Sequence, residues 1–373
     1  MIHTTSTTVK IHLFNPENDL ALALGCRHYT PPPHAQAIHN TGALLPMWWA
    51  DAGDIVIAPD SLRAEATQFA ARFGLEGEIA GGGAEVGSAT EAVPWGWSLD
   101  ARRQFVRAGV RENILPDDAA IGRMRSLSHR RMSVEILSRL GGDWVLPLET
   151  TDADAVVGME RRHPGCYVKS PWSSSGRGVF CARSLDEEAL RRRAEGIIHR
   201  QGSVMVERGL DKVADFAALF HSDGSKVEFR GLSVFSTEAR GMYSGNIVAP
   251  QPYLEARLAE LTDIDCLMAI IRREEEILTE LICPDYRGWM GVDMMVYRDA
   301  DGARRVMPCV ELNLRMTMGV AAMLICRKLR LDFPHFLAWE HNAPTAVHEA
   351  PDSLILLPPT DGFTLRLSKI PHQ

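Results

Sequence analysis

Asp293 and Glu311 are the residues whose types and spacing most invite chemistry. They lie in two apolar segments, GWMGVDMMVY (288–297) and VMPCVELNLR (306–315), joined by a turn containing Asp299-Ala300-Asp301-Gly302. These segments read as the strands of a hairpin. In a straight strand, alternation of side chains puts Glu311, Asn313 and Arg315 on one face. A connection centred on Gly302 sets Asp293 directly opposite Glu311; one centred on Asp301 makes them diagonal neighbours on the same face. Two carboxylates facing each other on apolar strands are costly unless positive charge lies between them. Asn313 adds a neutral oxygen. A few hard oxygen donors, completed by phosphate oxygens and water, suit Mg²⁺. The competing reading is an ordinary ion pair of either acid with Arg315 or another base.

A second segment, CYVKSPWSSSGRGVF (166–180), carries Lys169 on a short strand, then three serines and two glycines, then another strand. Small residues let backbone N–H groups approach an anion, and serine hydroxyls add donors. Lys169 at the base of the loop can neutralise phosphate charge. The GKS/T ending of a Walker A loop is absent. A plain surface hairpin is the competing reading.

These residues need a scaffold. Val9–Phe14 and Asp54–Ala58 read as strands, Leu20–Leu24 as a short helix capped by Asp19, and Leu62–Phe73 as a helix. This rhythm predicts a small α/β layer domain over roughly 1–122. Gly81–Trp97 reads as a loop. Helical spacing returns at Met132, Ile136, Leu137 and Leu140. Strands follow near 166–170, 178–182 and 203–207, with a charged helix over 185–199. A single long helix is expected over 253–281 and another over Met318–Arg327. The last thirty residues, rich in proline, read as an extended tail.

Composition bounds the function. The chain has 373 residues, 46% hydrophobic and 24% charged, as in a globular protein of two or three units. A net charge of −8 argues against broad nucleic-acid or anionic-membrane binding. Seven cysteines (Cys26, Cys166, Cys181, Cys266, Cys283, Cys309, Cys326) form no CxxC pair and suggest reduced thiols. With no secretory signal and no membrane-length apolar run, the cytoplasm is the expected location.

In order along the chain stand a lysine strand with a Gly/Ser loop, VMVE (204–207), an acid strand, and ExNxR (311–315). This ordered set, covering about 125–325, resembles the ATP-grasp superfamily, the fold of D-alanine–D-alanine ligase, glutathione synthetase and biotin carboxylase. The opening FNPENDLALA is similar to that of bacterial ATP-grasp proteins without a defined reaction. The resemblance implies an α/β (α+β) ATP-grasp fold with a Rossmann-like N-terminal domain over 1–122. It further implies a small subdomain over 123–208, a metal-bearing subdomain over 209–345 and a tail over 346–373.

The resemblance also implies roles. Lys169 would contact the nucleotide phosphates, with Ser173, Ser174, Ser175, Gly176, Arg177 and Gly178 closing over them. Glu207 would accept the adenine amino group, beside the backbone of Arg208 and Leu210. Asp215 in DKVADF would bind the ribose, although the match needs one extra residue. Asp293, Glu311 and Asn313 would hold one or two Mg²⁺, with Mn²⁺ as a substitute, and Arg315 would face the reacting carboxylate or phosphate. An earlier basic residue falls among His129, Arg130 and Arg131, with Arg130 chosen. Arg230, Tyr243 and Asn246, and Asn15, Glu17 and Asn18 of the NPEND segment, are acceptor-site candidates; turn formation and capping compete for the last three.

The implied reaction is ATP-dependent joining of a small-molecule or peptide carboxylate to an amine through an acyl-phosphate. Alternatives are a small-molecule kinase and a nucleotide-binding regulatory module without turnover. Family members are often dimers, so a homodimer is compatible with the resemblance.

Overall fold

A computed structural model describes residues 8–80, 86–173, 178–237, 242–341 and 352–370. The N-terminal sheet consists of β1 (Lys10–Leu13), β2 (Ile55–Ile57), β3 (Glu78–Ile79) and β4 (Glu91–Pro94). All are parallel, in the order β3-β2-β1-β4. Parallel strands need cover on both faces. One face packs Ile11, Leu13 and Ile55 against Phe105, which lies on the helix Leu99–Arg107. Ser98 caps that helix by accepting from the Ala101 N–H at 3.1 Å. The segment expected as a loop thus contains β4, whose glycine and proline neighbours hid a strand only four residues long. Residues 81–85 lie outside the described set.

A second sheet, antiparallel, contains β5 (Leu148–Thr150), β6 (Tyr167–Lys169), β7 (Val179–Cys181) and β8 (Val204–Glu207), in the order β5-β8-β6-β7. Helices Ala153–Arg162 and Glu187–Gln201 bury Val156, Leu190, Ala194 and Ile197 against Val168, Val204 and Val206 of this sheet.

The largest sheet has eight strands: β9 (Asp211–Ser222), β10 (Val227–Thr237), β11 (Tyr243–Val248), β12 (Gly288–Arg298), β13 (Arg304–Asn313), β14 (His335–His341), β15 (Ser353–Thr360) and β16 (Phe363–Lys369). Their order is β13-β12-β9-β10-β11-β14-β16-β15. Alternation along β9 sends Phe216, Ala218 and Phe220 into one core, with helices Gln251–Ala259, Ile264–Ile282 and Arg131–Leu140. Ala217 and Leu219 enter the other core, with helix Met318–Leu329 and with Phe14, Trp48 and Val56 of the N-terminal unit. The N-terminal unit therefore shares a core with the site-bearing sheet.

Three further expectations are corrected. The single helix over 253–281 is two, because Asp263 caps a new start by accepting from the Asp265 and Cys266 N–H groups. The separate tail is instead the hairpin β15–β16, annealed to β14 with its apolar residues Leu356, Leu357, Leu365 and Leu367 in the core. Asp19 does not cap the first helix, which runs Asn18–Leu24 with Glu17 at the cap position and no side-chain cap bond. Among the described residues no helix is long and apolar enough to cross a membrane.

Candidate active site

The β12–β13 hairpin turns about Asp299–Gly302, where Gly302 takes a φ of 78°. Near the turn the register pairs Arg298 with Arg304 and Met295 with Met307, a connection centred on Asp301. Beyond it the register slips, and Asp293 pairs directly with Glu311. Pro308 lies in the slipped stretch and has no N–H to give the ladder, so a bulge there is natural. Both sequence alternatives thus hold, one at the tip and one at the acids.

Register carries the site face across the sheet. Asp293 pairs with Ala217 and Ala217 with Ser233; Asp215 pairs with Met295 and Phe235. Opposed residues share a face, so Glu311, Asp293 and Asp215 look the same way. Burial, and then Glu311 opposite, push the Asp293 carboxyl up to about 7, against the pull of Arg315 and an Asn313 hydrogen bond. Burial is the larger cause; the smaller one, the facing Glu311 charge, is what a cation between the two acids would relieve. Among the described residues no three His, Cys, Asp or Glu side chains converge into a protein-only cage. Two carboxylates and an amide fit a hard cation that shares its ligands with phosphate and water.

Around the acids the cations are held on carboxylates. Arg130 Nη2 lies 2.9 Å from Glu311 Oε1 and donates to Ser173 Oγ at 2.9 Å. It is buried, and its Nε–H has no partner among the described residues. Of the three basic candidates it is the one that reaches the acids: His129 faces Ser203 and Glu149, and Arg131 pairs with Glu149. Lys169 pairs with Glu207, a diagonal neighbour across β6 and β8, and both are largely buried. Arg208 is exposed and Leu210 half-buried just beyond.

Asp215 accepts from Lys212 Nζ at 2.6 Å and from Thr237 Oγ1 at 2.7 Å. Strand residues three apart normally face opposite ways. The register skips Val213, turning Lys212 and Asp215 to one side.

Gly178 closes the base of the serine loop: its carbonyl accepts from Ser170 N–H at 2.8 Å, and its φ is 76°. A Cβ there would meet Ser170 Oγ at 2.8 Å. Ser174, Ser175, Gly176 and Arg177 lie outside the described residues.

Arg315 follows β13. Its Nη2 donates to Asn313 Oδ1 at 2.9 Å, while Nε and Nη2 donate to Asp19 Oδ2 at 2.9 and 2.8 Å. Burial disfavours its charge, but Asp19 beside it, together with Glu311 and Asp293, more than offsets this, and the Arg315 pKa is raised.

The acceptor-site candidates are dispersed. Asn246 is buried, donates to Ser233 Oγ at 2.7 Å and accepts from the Tyr243 hydroxyl, on the same sheet face as Asp293 but three strands away. Arg230 is exposed at the Phe229/Gly231 irregularity, beside Glu228. Asn15 is tied to Gly96, Glu17 to His39, and Asn18 packs on Gly96; all three are buried and hold the N-terminal unit together. The NPEND residue that enters the cleft is Asp19. That cleft is lined by Asp19, Ser128, Trp172, Ser173, Glu311 and Asn313. Sequence reasoning missed Asp19, Ser128, Trp172, Lys212 and Thr237. Only Asp19, in a polar run after the first strand, carried a usable signal.

No protein-family model and no curated protein matches the sequence. Solved structures do match in fold. The biotin carboxylase domain of Hydrogenobacter thermophilus 2-oxoglutarate carboxylase is 13% identical over 98% of this chain and 87% of that one, with a TM-score of 0.55. Biotin carboxylase from Campylobacter jejuni is 12% identical over 98% and 87%, with a TM-score of 0.56. Carboxyaminoimidazole ribonucleotide synthase from Aspergillus clavatus is 12% identical over 98% and 95%, with a TM-score of 0.51. Biotin carboxylases and the carboxyaminoimidazole synthases are ATP-grasp enzymes, and the chain described here has the ATP-grasp fold.

Proposed function

We propose that the chain is a magnesium-dependent ATP-grasp ligase that joins a small-molecule or peptide carboxylate to an amine, releasing ADP and phosphate. The observation that carries this reading is the register-fixed pair Asp293–Glu311, with Arg130 on Glu311 and Arg315 acting on both acids. Solved structures of the same fold hold MgADP and bicarbonate in one case and ATP in another, which supports nucleotide chemistry for this fold.

Asp293, Glu311 and Asn313 would hold Mg²⁺, which when bound supplies charge neutralisation to phosphate oxygens. The chain's own groups do the rest. Lys169 and the orphaned Arg130 N–H take phosphate oxygens, exchanging their carboxylate partners for the nucleotide. Glu207, released from Lys169, accepts from the adenine amino group, while Asp215 and the adjoining Thr237 and Lys212 receive the ribose. Ser173 and Gly178, at the ends of the serine loop, bring N–H and hydroxyl donors over the phosphates. The acid's oxygen attacks the terminal phosphorus and ADP leaves; the amine nitrogen then attacks the acyl carbon and phosphate leaves with the bonding pair. Arg315 steadies the negative charge of the acyl-phosphate.

The test is ADP release across a panel of acids and amines. Release that requires both an acid and an amine, and that Glu311→Gln abolishes, is expected. A stable phosphorylated product formed without an amine would instead identify a kinase. Absence of nucleotide binding and of magnesium-dependent turnover would overturn the reading.

A further inference from the structure

Among the described residues four charged side chains lie at the proposed metal position, and Asp215, which also acts on Asp293, is paired with Lys212. Asp293 and Glu311 are the acids; Arg130 lies on Glu311, and Arg315 lies on Asn313 with its charge reaching both acids. Two carboxylates facing two guanidiniums cancel, and an arriving dication would meet no net attraction. The remaining cations nearby are matched by their own acids, Lys169 by Glu207 and Lys212 by Asp215. One further acid reaches the group. Asp19, from the segment after β1, accepts from both Nε and Nη2 of Arg315 across a sequence separation of 296 residues. Each side chain of the pair is only 14% exposed, where charges are weakly screened. Two other buried acids of the N-terminal unit are spent elsewhere, Glu17 on His39 and Asp100 on Arg103.

We infer that Asp19 is an electrostatic and positioning residue for the metal site: it neutralises Arg315, leaving the cradle one net negative charge, and sets the fork that holds Asn313 Oδ1. This rests on the magnesium–nucleotide reading above and assigns the N-terminal unit a direct part in it. Arg315 is fixed on three sides, since its Nη1 also donates to the Met316 carbonyl at 3.1 Å. Loss of Asp19 therefore leaves a full positive charge aimed at the acids.

The test titrates Mn²⁺ into the ADP-saturated full chain and follows the free ion by its electron paramagnetic resonance. Asp19→Asn is expected to weaken Mn²⁺ binding about tenfold, and Asp19→Glu, which keeps the charge, to stay within about threefold. Arg315→Met is expected to tighten binding, and the Asp19→Asn/Arg315→Met pair to return near the unaltered chain. A purely structural role would loosen binding in every variant. Unchanged binding in Asp19→Asn, or weaker binding in Arg315→Met, overturns the inference. If Asp19→Asn fails to fold, the sign of the Arg315→Met change and the Asp19→Glu result still decide it. An unaltered chain that takes up no Mn²⁺ with ADP would overturn the magnesium–nucleotide reading itself.

Discussion

Replacing Asp293 by Asn should make the metal-free protein more stable at pH 8 while removing its response to magnesium. The Asp293 carboxyl is pushed from 3.8 to about 7, first by burial and then by Glu311. A carboxyl whose pKa is higher in the folded chain than in the unfolded one contributes stability below the unfolded value and loses it as pH rises through about 7. At pH 8 the difference between 3.8 and about 7 corresponds to about 4 kcal/mol spent keeping Asp293 ionised in the fold. Relaxation and water entry reduce that cost, so Asp293→Asn is expected to gain about 2 kcal/mol, or about 2–3 °C in Tm for a chain of this length. The assay is urea unfolding at pH 5 and pH 8 with chelator, repeated with ADP and Mg²⁺. The gain should be largest at pH 8 and fall to roughly a third of that at pH 5. Added MgADP should stabilise the unaltered chain more than the variant. A variant less stable at pH 8 without metal, or equally stabilised by MgADP, would refute the reasoning that these acids are strained in wait for a cation.

Lys169→Met strands Glu207, whose side chain is 18% exposed, without its counter-charge. It should cost about 1–3 kcal/mol of stability and weaken ADP binding at least about tenfold, read by denaturation and calorimetry. His129 packs edge-on against Trp172 with ring centroids 4.6 Å apart, and burial, then Arg131, hold its pKa down to about 4. The unfolded chain takes up that proton below about 6.5, so the folded state loses up to about 3 kcal/mol between pH 6.5 and 4. His129→Gln should flatten that part of the stability–pH curve. Gly42→Ala would set a Cβ 2.0 Å from the Phe14 ring in the shared core, and should cost about 2–3 kcal/mol or more in urea unfolding.

The β12–β13 hairpin was legible because alternation and turn chemistry are local. Apolar residues on alternate positions of 288–298 and the DADG turn place Asp293 near Glu311 without knowledge of any partner strand. What remained open was register, since Pro308 inserts its bulge inside the second strand. The short strand that ends at Lys169 was legible for the same local reason. The Asp19–Arg315 pair was not, because nothing in FNPENDLALA says which polar side chain turns inward: Asn15, Glu17 and Asn18 hold the fold and Asp19 faces the cleft. The meander β9–β11 and the closing hairpin β15–β16 were also missed. Their strands earn their place through neighbours distant in sequence, which propensity does not report.

The most direct measurement is anomalous diffraction from crystals grown with ADP and Mn²⁺. The expected result is a manganese peak coordinated by Asp293, Glu311 or Asn313, with Arg130 and Lys169 turned from their carboxylates toward the phosphates. ADP bound with no manganese at those oxygens, or manganese held elsewhere, would contradict the assignment.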